Sequence, residues 1–496
     1  MREHRCDTVI IGSGAGGGTI AHRLVEAGQK VVLLEAGSYY RTEQFTTDFW
    51  SSMKHLFWNN GFQYAPGRPS IPFLQGRAVG GTTVINSAIS WDLPPDIHQQ
   101  WAEQEAFGVP YEAIAAEQER IRRELHIVPV RAEIMGGNNN LMAAAAKRLG
   151  WAGRPVDRNE QDCRGSGRCL VGCPHGAKLS LEQTYIPWAE ERGLEVIADC
   201  EAKRIVVEQG RAVGVIANQL DTTARPRRVR RMKGQCLFIR AKQVVVAAGV
   251  IQSPLILQRS HIPDPHHWIG RNLMAHPGTS VVGLFDERVD VWQGATQGYE
   301  VTQFREQGLK LESLGIAPAL FAMRLPRLGL EWAELYEKRA HMALWAAGVR
   351  TQSRGSVRQH RILSPIRYPI SAMDMRQFMR GLEVLGELLF AAGARAVYPG
   401  VQDRPSPVHS LEELKAITQS EIRPDQIQPV ATHLFGTCRL SDDPKRGVVN
   451  SQFESHHVKG LYVADGSIFP SNTGVNPQLA IMALAGVAAR QIVRSV

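Results

Sequence analysis

No run of roughly 18 consecutive apolar residues occurs anywhere in the 496-residue chain, so no helix is expected to span a membrane. The N-terminus lacks the basic-then-apolar pattern of an export signal, because a strand-like run begins already at Cys6. A cytoplasmic location is the default expectation, and export in the company of a secreted partner stays open. Cysteine is scarce and odd in number, at seven, which is poor arithmetic for a disulfide framework. Excess charge is moderate, at +9, and much of it sits in "RPRRVRRMK" (225–233). Blocks of like charge ordinarily sit in water, so this run reads as a solvated hairpin tip, and no nucleic-acid partner is expected.

Hydrophobic side chains are abundant, at 44%. A chain of this length can bury more than one core, so two domains are expected. The first begins at once. "DTVIIGSGAGGGTIAHRLVEAGQKVVLLEAG" reads as strand, tight turn, helix and second strand. Gly12, Gly14 and Gly17 have the G-x-G-x-x-G spacing. Gly12 allows the turn, Gly14 lets backbone approach a pyrophosphate, and Gly17 lets the helix pack closely on the strand. The helix N-terminus offers unpaired N–H groups and partial positive charge to phosphates. Glu35 ends the second strand near the offset of about 20 residues at which an acidic side chain accepts the ribose hydroxyls. These parts agree on a dinucleotide site.

Later segments carry further pieces of that site. "LQGRAVGGTTVINSAISW" (74–91) is a second glycine-rich stretch, with Gly80-Gly81-Thr82-Thr83 ahead of Asn86. "RAKQVVVAAGVIQSPLILQRS" (240–260) and "KGLYVADGSIFP" (459–470) contain buried strands, which read as late members of the sheet that begins at residue 7. These segments, with "IGRNLMAHPG" and "HLFGTCRL…LYVADGSIFPSNTGVNPQLAIMALA", resemble the glucose–methanol–choline (GMC) oxidoreductases. The resemblance runs from residue 7 to about 490, with little contribution from about 280–430.

The resemblance implies an α/β protein. Its Rossmann-like FAD-binding domain would be assembled from 1–110, 185–275 and 431–496. A connecting region with a Cys-rich loop would occupy 111–184. An inserted α+β substrate-binding domain, built on an antiparallel sheet, would occupy 276–430. FAD would lie with its pyrophosphate on Gly12, Gly14 and Gly17, its ribose on Glu35, and Ala202 beside the adenine. Gly81, Thr82 and Asn86 would line the isoalloxazine, and Asp465, Gly466 and Asn476 would approach from the C-terminal side. Some members bind FAD covalently through a histidine four residues after the second glycine of the pair. Here Ile85 holds that position and has no nucleophile, so the flavin is expected to be non-covalent.

Alcohol oxidation removes a hydride from carbon and a proton from oxygen, and histidine is suited to take the proton. The resemblance selects His433, in "ATHLFGTCRL", as that base and Asn476 as its partner. Asn476 has a second reading from the residues themselves. Asn is a strong N-cap, and Pro477 suits the first helical turn, so Asn476 is expected to cap the last helix. His276 reads as structural. Residues from about 275 to 430 show no polar constellation that would name the alcohol. "MRQFMRGLEVLGELLFAAGA" (375–394) reads as a long helix there, and "SRGSVRQHRIL" (353–363) as strand.

"CRGSGRCLVGCPHGAK" (163–178) places Cys163, Cys169 and Cys173 at C-x5-C-x3-C spacing. Four readings stand side by side. They are a zinc site completed by His175, a disulfide between two of the thiols, a [3Fe-4S] cluster on all three, and a turn-rich loop with unligated thiols. Some sugar dehydrogenases of the family carry such a cluster at this spacing, which would relay electrons to an acceptor subunit or cytochrome. The flanking residues look more like the fatty-alcohol-oxidising branch.

The expectation is thus an FAD-dependent alcohol dehydrogenase or oxidase acting on a small-molecule sugar or long-chain alcohol. Electrons would pass to an external acceptor, with oxygen as the alternative. A flavin-containing non-redox lyase on the same fold is the rival from another class.

Overall fold

The computed structural model describes residues 2–220, 231–326, 328–360 and 363–495. The basic run at 225–233 falls mainly outside the described residues. The strands on either side of it, Arg211–Leu220 and Arg231–Val246, pair antiparallel.

The first unit is β1 (Arg2–Ile11), α1 (Ala15–Glu26) and β2 (Val31–Leu34). β1 pairs parallel with β2 and with Arg231–Val246, and that strand in turn pairs parallel with Leu461–Val463. The apolar runs at 244 and 461 therefore join the sheet that starts at the N-terminus, as their sequence implied. Val9, Ile10, Val32, Leu33, Val244, Val245, Leu461 and Val463 are all inaccessible to solvent. Continuous apolar runs of this kind are what a parallel sheet covered on both faces requires. Each such side chain contributes about 1.5–3 kcal/mol of transfer free energy. Ile20 and Leu24 of α1 and Leu479, Met482 and Ala483 of the last helix, Gln478–Arg494, belong to the same core.

The second sheet is antiparallel and centres on the long strand Arg271–Leu284. That strand pairs with Met342–Val349, Ala396–Tyr398 and Val430–Phe435, and runs through the expected domain boundary at 275/276. Helix Ala372–Ala392 covers the sheet with Phe378, Leu382, Leu385 and Leu389. Its sequence delimits it at both ends. Ser371 accepts the Asp374 N–H at 3.1 Å, and Gly393 follows with φ +100°, which is a left-handed stop that costs glycine little. Among its described residues, the stretch 353–363 contributes a short strand, Gly355–Val357. No helix of the described residues is long and apolar enough to cross a membrane.

Candidate active site

One cavity of about 930 Å3 touches both sheets. Gly12, Gly14, Glu35, Gly81, Thr82, Asn86, Ala202, Asp465, Gly466, His433 and Asn476 all line it. The turn after β1 explains its glycines. Gly12 has φ +96°, and a Cβ there would stand 2.5 Å from the Ala247 carbonyl oxygen. A Cβ on Gly81, at φ +56°, would stand 2.6 Å from Gly14 Cα, so the two glycine loops meet backbone to backbone. Gly17 lies outside the cavity; a Cβ on it would meet the Gly12 carbonyl at 1.9 Å. It serves the packing of α1 on β1. Gly14, the N-cap of α1, supplies no side chain, which leaves the first N–H groups of the helix facing the cavity. A cradle without side chains at a helix N-terminus fits a pyrophosphate.

Glu35 is buried and accepts Ser13 N at 3.1 Å, Ser13 Oγ at 2.7 Å and Gly37 N at 2.7 Å. Burial pushes its pKa above the usual carboxylate value, against those three bonds. It pins the glycine turn and lines the cavity beside it. Asp465 accepts Gly249 N at 2.8 Å, Ser253 Oγ at 2.5 Å and Ser467 N at 2.7 Å, so it joins the strand ends at 246 and 463. Asn86 donates to Gln478 Oε1 and accepts Ala88 N at 3.0 Å.

His433 sits on Val430–Phe435, in register opposite His276. Its Nε2 is 3.3 Å from Asn476 Nδ2, and its Nδ1 is 3.2 Å from His276 Nδ1. Burial first, and then the Lys310 ammonium, hold the His433 pKa at about 3. Burial and the neighbouring His433 hold His276 at about 3. Both rings are neutral at ordinary pH, so His433 can accept a proton.

The expected cap at Asn476 is not formed. The helix starts at Gln478 with Pro477 as N-cap and no side-chain cap bond. The Asn476 carboxamide is drawn away, its oxygen to Lys310 Nζ and its nitrogen to His433. The region 276–430 also carries the polar group that its sequence did not reveal. Lys310 contacts Glu300 and Glu312, and Glu312 and Gln297 line the cavity. The signal that could have found it is "LKLES", where Lys310 and Glu312 share one face of a strand whose other residues are mostly apolar.

Cys163, Cys169 and Cys173 come together around a cavity of about 10 Å3, which is room for about one water. All seven cysteines are free thiols. Arg158 Nη2 stands 3.2 Å from Cys169 Sγ, and Lys178 Nζ donates to the Cys169 carbonyl at 2.9 Å. Burial opposes the Cys169 thiolate, but the Arg158 and Lys178 cations hold its pKa below the usual thiol value. Among the described residues no group of three or more Cys, His, Asp or Glu is disposed to hold a metal ion. The reading of Cys163, Cys169 and Cys173 as [3Fe-4S] ligands therefore does not fit, because a guanidinium already meets the central thiol and the space is too small. What the loop does instead is structural. Lys178 also donates to the carbonyls of Val84 at 2.6 Å and Asn86 at 2.9 Å, tying the loop to the segment that lines the main cavity. Sequence reading missed both buried cations.

Two family models described as GMC oxidoreductase match the chain, one over residues 8–278 and the other over 351–485. An uncharacterized GMC-type oxidoreductase of Mycobacterium tuberculosis is 35% identical over 99% of this chain and 76% of its own length. A long-chain-alcohol oxidase of Arabidopsis thaliana is 29% identical over 99% of this chain and 68% of its own length. A cholesterol oxidase of Acinetobacter baumannii is 24% identical over 97% and 93%. Formate oxidase of Aspergillus oryzae shares the fold, with a TM-score of 0.75 at 16% identity, covering 100% of this chain and 99% of that one.

Proposed function

The chain belongs to the GMC oxidoreductase family, and on that premise we propose that it binds FAD non-covalently and oxidises the CH–OH group of an apolar alcohol. The observation that carries this reading is the convergence of Asn476 Nδ2 and His433 Nε2, 3.3 Å apart, on the wall of the cavity that the glycine cradle also lines. Gly12 and Gly14 would hold the pyrophosphate, Glu35 the ribose, and Ala202 the adenine. Gly81, Thr82, Asn86, Asp465, Gly466 and Asn476 would surround the flavin ring, with Ile85 offering no atom for a covalent link.

A hydroxyl placed between the two side chains accepts the Asn476 amide hydrogen and donates its own to His433 Nε2. His433 takes that proton as the carbon gives up its hydride. When bound, FAD supplies the hydride acceptor. Asn476 remains hydrogen-bonded to the oxygen while negative charge develops there. Glycine backbone on one side and Phe49, Phe57, Leu314, Ile316 and Leu320 on others keep water from the site. These apolar walls, together with relatives named for long-chain alcohols and cholesterol, support an apolar substrate. Relatives named as oxidases favour oxygen as the acceptor over a partner subunit.

The test is anaerobic addition of primary alcohols of increasing chain length to the flavin-loaded protein. Loss of the yellow absorbance, faster with longer chains at low concentration, is the expected result. An unbleached flavin with every alcohol would refute the oxidoreductive reading.

A further inference from the structure

Lys310 lies behind the cavity wall, on the strand Leu309–Ser313, and is 2% exposed. Its Nζ donates to Asn476 Oδ1 and to Glu312 Oε1, and stands 2.9 Å from Glu300 Oε2. Glu300, itself fully buried, also accepts Trp91 Nε1 at 2.8 Å and pairs with Arg154 Nε at 2.9 Å. Glu312 accepts Gln297 Nε2 at 2.8 Å through its other oxygen. Two carboxylates thus face two cations, a balance that lets a lysine stay charged inside the protein. Burial works against the ammonium, but Glu300 and Glu312 hold its pKa above the usual lysine value.

An ammonium can only donate. The Asn476 atom that faces Lys310 must therefore be the oxygen, and the nitrogen must face His433. Since that nitrogen donates, His433 Nε2 must be its acceptor and carry no proton. The one ring proton of neutral His433 is then on Nδ1, directed at His276 Nδ1. A single buried cation decides an amide orientation and a histidine tautomer.

We propose that Lys310 is a positioning residue for alcohol oxidation. By anchoring the Asn476 carboxamide oxygen, it keeps the amide N–H and the unprotonated His433 Nε2 side by side on the cavity wall, where one substrate hydroxyl can meet both. Its charge also polarises that amide toward the substrate oxygen. This rests on the reading of His433 as the base. A charge-assisted bond at the amide oxygen strengthens the N–H at the other end. A cation close to His433 disfavours the imidazolium before substrate arrives. The charged and titratable groups around His433 are Lys310, His276, Glu312 and Glu300, with Arg154 beyond Glu300, and among them Lys310 stands behind the carboxamide that touches the imidazole.

Two variants of the flavin-loaded enzyme test this. Lys310→Gln keeps a donor for Asn476 but no charge; Lys310→Met with Glu312→Gln keeps neither and leaves Glu300 paired with Arg154. The readouts are flavin content and the anaerobic rate of flavin reduction by a saturating alcohol from pH 8 to pH 5. The native rate is expected to be flat across that range. Both variants should begin to lose rate toward pH 5, since loss of the Lys310 charge raises the His433 pKa while burial still holds it below the ordinary value. The double variant should also be slower by about 10-fold or more at pH 8, with flavin content retained. A flat pH profile in both variants overturns the proposal, and so does rate loss that merely follows loss of flavin. His433→Ala, measured in parallel, separates this from the parent reading. Unchanged reduction in that variant overturns both.

Discussion

His276 and His433 face each other across two antiparallel strands with their Nδ1 atoms 3.2 Å apart, ring centroids 5.4 Å apart and planes inclined by 29°. Only one of the two nitrogens can carry the proton between them. Because Asn476 occupies the far side of His433, that proton belongs to His433, and His276 is its acceptor. The structural reading of His276 in "NLMAHPG" thus gains a partner, the His433 ring. His276 holds His433, the proposed base, in the tautomer whose Nε2 faces Asn476, much as a buried acceptor orients the histidine of a hydrolase triad.

Replacing His276 by Phe removes that acceptor while filling the volume. Flavin reduction by alcohol should slow about 10-fold or more with flavin content preserved. Stopped-flow absorbance under anaerobic conditions measures it, and a native rate would show that His276 only packs.

His433→Ala removes the proposed proton acceptor itself. The protein should still take up FAD, since His433 supports none of the glycine cradle, but reduction should fall by about 100-fold or more. A variant that is colourless after reconstitution, or that reduces normally, contradicts this.

Stability should fall as the medium is acidified below neutrality. Burial holds His22 at about 4, and His276 and His433 at about 3, against an unperturbed value of 6.5. Between those limits the unfolded chain binds protons that the native one does not, so the stabilisation present above pH 6.5 is lost on the way down to pH 3–4. The loss is roughly 1.4 kcal/mol per pH unit for each ring. The melting temperature should therefore be lower at pH 5 than at pH 7. His22→Gln, far from the cavity beside Tyr185, should flatten the dependence in part. Equal melting temperatures at the two pH values would be incompatible with buried neutral rings.

Gly81→Ala adds a methyl group 2.6 Å from Gly14 Cα at a positive φ. The two glycine loops must separate, at a cost of about 1–3 kcal/mol. Flavin retention on gel filtration should drop while the far-ultraviolet circular dichroism stays native. Full retention would mean that the cradle tolerates a side chain there.

Lys178→Met leaves two buried carbonyls, of Val84 and Cys169, and the half-buried one of Asn86 without their shared donor. Unpaired buried acceptors cost about 1–3 kcal/mol each, so the variant should melt several degrees lower and release flavin more readily. The same material answers for the thiols. Anaerobically purified protein should contain iron and acid-labile sulfide well below one per chain, and stoichiometric iron would reverse the structural assignment of this loop.

The local features were legible in the linear chain because each is set by neighbours. Gly12 needs its positive φ within one turn, Ser371 and Gly393 delimit one helix, and the apolar runs at 9, 32, 245 and 462 fit only the middle of a covered parallel sheet. The surrounding motif singled out His433 and Asn476, and the fold brings them 3.3 Å apart. What the tertiary structure decided is which groups face them. Lys310 lies 166 residues from Asn476, His276 lies 157 from His433, and Arg158 meets Cys169 across a loop whose spacing alone suggested a metal. A side chain's charge, tautomer and hydrogen-bond direction depend on the atoms within a few ångströms of it in a dry interior, and residues distant in sequence supply those atoms. The same holds for Asn476, whose local sequence favours a helix cap. A buried ammonium on another strand outcompetes that cap and turns the side chain toward His433.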